Sequence, residues 1–288
     1  MTAAATDCET LSGALGLGPR ELVALVGGGG KTGALHTLAG ELAAAGGRVV
    51  VATTTAMFVR ELAVVGPLLT AAGEKNLAGA VREALRSAAV VAVAQGYGAD
   101  AKVVGLPPGA VDVVWAAAGC DYLLVEADGS RGRSLKAFAP YEPQVPAAAG
   151  TVVQLAGLDA LGAPLDDVHA HRAAELAALL ARPAGSEVTP AVFAASLRAQ
   201  LPRLRQAAPA ARVVAVLNKA EAPEGWAAGL AVAEELWAEG RVPDVRSGES
   251  EGRFSDAGPG GGEPQAPDGI VIASLRERRF ARVSMLEG

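Results

Sequence analysis

Short, fully apolar runs bounded by glycine or polar residues recur along the chain. Each is followed by a longer stretch with helical spacing. Leu22–Val26 ends in Gly27–Gly30 and leads into a helical stretch from Lys31 to about Ala45. Arg48–Ala52, Val90–Ala94, Tyr122–Glu126, Thr151–Leu155, Arg212–Leu217 and Gly269–Ala273 repeat the pattern. Helices are predicted around Glu74–Ser87, Ala110–Ala118, Arg172–Leu180, Pro190–Leu201 and Gly225–Gly240. An apolar run of about four to six residues fits a parallel strand covered on both faces. Strands alternating with helices predict an α/β fold: a mainly parallel sheet with helices on both faces.

Two stretches interrupt the alternation. Arg131–Pro146 carries Pro140, Pro143 and Pro146, which exclude a long helix. Val242–Asp268 is rich in Gly, Pro, Ser and acidic residues and reads as a flexible linker or mobile loop. The expected organisation is one α/β domain over 1–242, a linker over 243–268, and a terminal strand and tail over 269–288 that pack on the same domain.

Composition narrows the function classes. Hydrophobic residues make up 51% of the chain, which excludes disorder throughout. The formal net charge of −6 disfavours a nucleic-acid partner, because an acidic surface repels phosphate backbones. Aromatics are only 4%, leaving little ring surface for stacking. Cys8 and Cys120 stand alone, so neither a disulfide framework nor a zinc site is expected. Met1–Gly18 lacks the basic start of a secretory signal, and no charge-free run of about 18 apolar residues would span a membrane. The expectation is a soluble cytoplasmic protein with no membrane partner.

Chemistry is expected first at Gly27-Gly28-Gly29-Gly30-Lys31-Thr32, after a strand and opening a helix. Glycines permit left-handed angles and close approach, so backbone N–H groups of such a loop can wrap a phosphate. The helix N-terminus adds partial positive charge. Lys31 would reach the terminal phosphates and Thr32 would offer its hydroxyl to Mg²⁺. Leu25 stands where the longer phosphate-loop pattern has glycine, leaving G-x-x-G-K-T, the compact form seen in Mur-type ligases. Gly28, Gly30 and Gly33 also match the dinucleotide fingerprint. That fingerprint wants an acid at the end of the second strand, where this chain has Thr53-Thr54-Thr55. These threonines, Thr54 among them, could instead hold Mg²⁺-bound water or a terminal phosphate; a plain helix cap is the other reading.

A second candidate follows Tyr122–Val125, where the strand ends in Glu126-Ala127-Asp128-Gly129-Ser130. A hydrophobic strand ending in acids has the form of a Walker B segment, in which one carboxylate holds Mg²⁺ and another positions a nucleophile. Arg131, Arg133 and Lys136 follow, then Tyr141 and Glu142. These cations could bind an anionic substrate or stabilise a transferring phosphate, or form a solvated basic turn. Asp159, Asp166, His169, His171 and Arg172 cluster in a polar segment leading into a helix; the His-x-His pair with flanking Asp could bind a divalent metal, but without a third well-spaced ligand a solvated helix entrance is the preferred reading. Asn218-Lys219-Ala220-Glu221 is close to N-K-x-D, in which Asn and Asp read guanine. Here Glu replaces Asp, so guanine reading and a plain strand-to-helix turn both stay open.

Several segments together carry a family likeness: Val26–Thr32, Ala52–Thr55, Glu126–Lys136, Gly157–Leu165, His171-Arg172, Val188–Pro190 and Leu217–Ala220. The chain resembles the YqeC family, accessory proteins of selenium-dependent molybdenum hydroxylases. The most specific segment is Glu-Ala-Asp-Gly-Ser-Arg. The resemblance implies a nucleotide-dependent role in maturing or inserting the selenium-containing molybdenum cofactor, with the cofactor, a molybdenum hydroxylase or other maturation proteins as partners. It carries Gly27–Thr32 over as the nucleotide loop, and Glu126, Asp128 and Arg131 as site residues. The expected fold is P-loop NTPase-like, with Mg²⁺ and ATP or GTP as cofactors. Lys31, Glu126, Asp128 and Arg131 would carry catalysis. Gly27 to Thr32, Asn218 and Lys219 would hold nucleotide. Thr32, Thr54, Glu126 and Asp128 would hold the metal. Two alternatives belong to other classes: a nucleotide-gated scaffold without turnover of its own, and a small-molecule kinase or ligase.

Overall fold

A computed structural model describes residues 2–238 and 266–286. Most of the expected linker therefore lies outside the described residues.

The centre is a ten-stranded sheet. Its strands in chain order are β1 (Thr2–Cys8), β2 (Glu21–Gly27), β3 (Val49–Thr53), β4 (Leu68–Thr70), β5 (Val90–Ala94), β6 (Tyr122–Glu126), β7 (Thr151–Gly157), β8 (Arg212–Asn218), β9 (Gly269–Ser274) and β10 (Arg279–Leu286). Across the sheet they run β1-β10-β9-β8-β7-β2-β6-β3-β5-β4. From β4 to β9 every neighbouring pair is parallel, and β10 then pairs antiparallel with both β9 and β1. The α/β reading with a mainly parallel sheet holds.

Helices cover both faces, and alternation within strands decides which side chain meets which helix. Leu22, Ala24 and Val26 of β2 pack on the side of α4 (Leu77–Ala84), α5 (Pro108–Ala117) and α8 (Leu201–Ala207). Val23 and Leu25 pack on the opposite side, against α1 (Leu11–Leu15), α2 (Lys31–Ala44) and α3 (Val59–Ala63). A third cluster joins Ala215, Leu217, Ile270 and Ile272 to α6 (Ala173–Leu179), α7 (Pro190–Arg198) and α9 (Ala222–Trp237). The central strands are buried on both faces, which is why they read as continuous apolar runs.

Several features differ from expectation, beginning with edge strand β4 and helix α3, which lie in the span between Ala52 and Glu74 where no element was predicted. The helix predicted over Pro190–Leu201 is α7, which ends at Arg198, and an unpredicted helix, α8, starts at Leu201 with Pro202 in its first turn. The N-terminal residues form β1 and α1, and the tail forms β10, so the two ends close one side of the sheet together. The irregular stretch Arg131–Pro146 contains a short strand, Leu135–Lys136, parallel to Ala170–His171. Among the described residues no helix is long and apolar enough to cross a membrane.

Candidate functional site

The carboxyl end of β2 lies between those of β6 and β7, at the edge where open parallel sheets bind ligands. The chain leaves β2 through the glycine loop and enters α2 at Lys31. Gly27 and Gly29 have φ of 93° and 69°, in the left-handed region. A Cβ on Gly27 would lie 2.2 Å from the Leu155 carbonyl oxygen, and one on Gly29 would lie 2.2 Å from the Gly157 nitrogen. The loop is thus pressed against the end of β7, and no side chain fits there.

Hydrogen bonds split the loop in two. Gly27 N–H donates to Asp128 Oδ2 at 2.8 Å. Gly28 and Gly29 N–H donate to the carbonyls of Leu155 (2.9 Å) and Arg133 (2.8 Å). The amides of Gly30, Lys31 and Thr32 have no hydrogen-bond partner among the described residues. They are the open N-terminus of α2, a ready acceptor of negative charge.

Beneath the loop runs a buried chain of charges. Lys31 Nζ donates to the Gly27 carbonyl at 2.5 Å and lies 3.1 Å from Asp128 Oδ1. Asp128 Oδ2 lies 3.0 Å from Lys136 Nζ, which also reaches Glu142 Oε2 at 3.0 Å and the Gly129 carbonyl at 2.7 Å. Lys31, Asp128 and Lys136 are 4%, 0% and 3% exposed. Buried charges persist only when paired, and each here has an opposite neighbour. Burial pushes the Glu142 carboxyl up, but the Ala139 N–H, Lys136 and Arg172 outweigh it and hold the group below the ordinary carboxylate range.

Glu126 is placed differently. It is only partly buried, and its Oε2 accepts from the Thr32 hydroxyl at 3.0 Å. Burial pushes its carboxyl above the ordinary range, against the opposing pull of Lys31 and the Thr32 hydroxyl; the Asp128 charge adds to the rise. Magnesium takes hard oxygen ligands and keeps several waters. The Thr32 hydroxyl and Glu126 carboxylate are such a pair, next to unpaired amides and the Lys31 ammonium. The donor set fits Mg²⁺ beside a phosphate.

The other predicted residues fall as follows. Both Asp128 oxygens face lysine ammonium groups, so its carboxylate braces the loop from below. Thr54 Oγ1 donates to the Gln144 carbonyl at 2.9 Å. Asn218 is buried, its amide donating to the Gly29 carbonyl (2.7 Å) and accepting from Leu275 N–H (3.2 Å). Lys219 Nζ is tied to Ser134 Oγ (2.8 Å) and Asp159 (2.7 Å). Asn218 and Lys219 therefore hold the loop and its neighbour together. Arg133 donates to the Asp167 carbonyl at 2.6 Å. Arg131 is exposed, with φ of 50° and no side-chain partner among the described residues. His169 pairs with Asp166 at 2.8 Å, while His171 lies beside Lys136 across the short strand pair. Among the described residues no three His, Cys, Asp or Glu side chains gather in a metal-holding group. What the sequence alone did not reveal is the part played by β7: its end supplies the main-chain wall against which the glycines close.

The family model described as YqeC protein matches residues 23–174. That span includes the glycine loop, the Glu126–Lys136 segment and His171-Arg172. A relative named "Uncharacterized protein YqeC" from Escherichia coli (strain K12) is 35% identical over 156 residues, covering 54% of this chain. The chain spans 59% of that relative's length.

Proposed function

Because the chain belongs to the YqeC family, we propose that it is a nucleotide-binding accessory protein that holds ATP or GTP with Mg²⁺ on the Gly27–Thr32 loop and hydrolyses it. One observation carries this reading. A lysine and a threonine open a helix whose first amides are unpaired among the described residues, directly beside the Glu126 carboxylate. Lys31 leaves Asp128 for the terminal phosphates, and Arg131 supplies further positive charge from the loop above. Thr32 and Glu126 hold the cation, which neutralises phosphate charge when bound. Catalysis is then positioning and electrostatics. The motif resemblance extends the proposal to maturation or insertion of the selenium-containing molybdenum cofactor of molybdenum hydroxylases.

A second reading has its own support. Lys31 is held in a buried ion pair, and three loop amides are already used internally. Nucleotide must compete for Lys31, as suits a scaffold gated by nucleotide and lacking turnover of its own. Phosphate release from Mg·ATP and Mg·GTP separates the two. The hydrolase reading expects turnover that Lys31→Ala abolishes and Glu126→Ala lowers strongly. Binding without turnover in the wild-type chain supports the scaffold. No binding and no turnover overturns both.

A further inference from the structure

A second polar corner lies beyond the buried charge chain, on the side away from the glycine loop. The strand pair 135–136 and 170–171 sets Lys136 opposite His171. Arg172 comes next and takes a left-handed backbone (φ 62°), a strained choice for a side chain of this size. Its guanidinium lies over the Tyr141 ring, 5.9 Å from the centroid, and 3.4 Å from the Tyr141 hydroxyl. It is 3.9 Å from Glu142, beyond hydrogen-bond reach, and its buried Nε has no partner. The His171 ring has no hydrogen-bond partner among the described residues, unlike His36 and His169.

Charge in this corner opposes the chain's average. Lys136 and Arg172 flank His171, Arg131 adds its field from the loop above, and Glu142 is the acid that faces them. Lys136 has given all three of its donors to Asp128, Glu142 and Gly129, so it contributes field rather than contact. Burial, and then Lys136, Arg172 and Arg131, hold the His171 pKa below the ordinary histidine value, which leaves a neutral ring able to donate one hydrogen bond. Glu175, one turn after Arg172 on α6, lines a groove of about 400 Å³ with Phe138, Leu179, Gln200 and Arg203. That is the size of a small-molecule site.

We propose that the corner formed by His171, Arg172 and the Tyr141 hydroxyl binds the oxyanion — phosphate or carboxylate — of a small molecule whose body lies in the adjoining groove. Planar guanidinium groups suit such anions, and a neutral histidine with a phenol completes the donor set. The site stands whether or not the glycine loop takes nucleotide.

Ring resonances of the three histidines report on it directly by NMR at fixed pH and ionic strength. Inorganic phosphate and succinate are titrated separately into wild type, Arg172→Gln, Tyr141→Phe and Lys31→Ala. The expected result is a saturable shift of His171 alone, with His36 and His169 still. Arg172→Gln should weaken it roughly tenfold or more, as loss of a charged hydrogen bond does. Tyr141→Phe, an exposed change that spares the fold, should weaken it a few-fold, and Lys31→Ala should leave it intact. A response to phosphate or to succinate identifies the substrate's anionic group. If neither anion moves His171, or if Arg172→Gln folds and binds as wild type, the proposal is overturned. Loss in Lys31→Ala alone would place the anion on the glycine loop and would also overturn it.

Discussion

The two halves of the glycine loop have adjacent residues and opposite fates. Gly27 to Gly29 are spent inward: their amides are bonded, and the Cβ positions of Gly27 and Gly29 are filled by the main chain of β7. Gly30 to Thr32 open outward in their backbone, with amides unpaired among the described residues and the Thr32 hydroxyl on Glu126, while the Lys31 side chain turns back to the buried Asp128. The acids after β6 divide likewise. Asp128 is fully buried between two lysines, while Glu126 is partly exposed with its pKa pushed up. The inner half builds a rigid seat, and the outer half is what a ligand can use. Glycine content alone cannot separate open helix-start amides from close packing, because here one loop contains both.

The sharpest break of this comparison is Asp128→Ala. It leaves Lys31 and Lys136 buried without their shared anion, and breaking a buried pair costs about 3–5 kcal/mol. Denaturant unfolding should show a lowered midpoint with an unchanged slope. Gly29→Ala comes next, because the added methyl meets the Gly157 nitrogen at 2.2 Å. Overpacking of this kind costs about 1–3 kcal/mol, and the positive φ adds to it. Calorimetric melting checks it, and an unchanged Tm would show the clamp to be loose.

Glu126→Gln should act in the other direction. The raised pKa means that the folded chain holds the Glu126 proton more tightly than the unfolded chain. Its charge therefore costs stability as pH rises from about 4.3 through the raised value. The glutamine variant should gain on the wild type over that range, as unfolding at several pH values would read. A gain that does not grow with pH would contradict the placement. The smallest effect is expected at Arg133→Ala. This side chain makes one exposed bond to the Asp167 carbonyl, and its loss should change stability by about 0.5 kcal/mol or less.

The sheet was legible because its central strands are buried on both faces and read as unbroken apolar runs. Strand β1 was not, since Thr-Ala-Ala-Ala-Thr-Asp-Cys has only three alanines as its apolar run and its pairing with Arg279–Leu286 spans nearly the whole chain. Helix α8 was not legible because Pro202 reads as the stop of the preceding helix, whereas it sits in the first turn of a new one. At the site, spacing found the loop, Glu126 and Asp128, but it could not assign them to inside and outside. That division depends on Lys136, which the irregular loop folds back under Asp128. Arg131, Arg133 and Lys136 look alike in sequence, yet one is free of partners among the described residues, one is tied to a carbonyl and one is buried. Which of them is uncommitted follows from the fold of the loop.

Under the proposed function, the open start of α2 takes a magnesium-bound nucleoside triphosphate through Lys31. Isothermal calorimetry with ATP, GTP and NAD, with and without Mg²⁺, on wild type and Lys31→Ala tests it most directly. Saturable, magnesium-dependent binding of ATP or GTP to the wild type is expected, with its loss in Lys31→Ala and no binding of NAD. Equal binding to both chains, or none to the wild type, would contradict it.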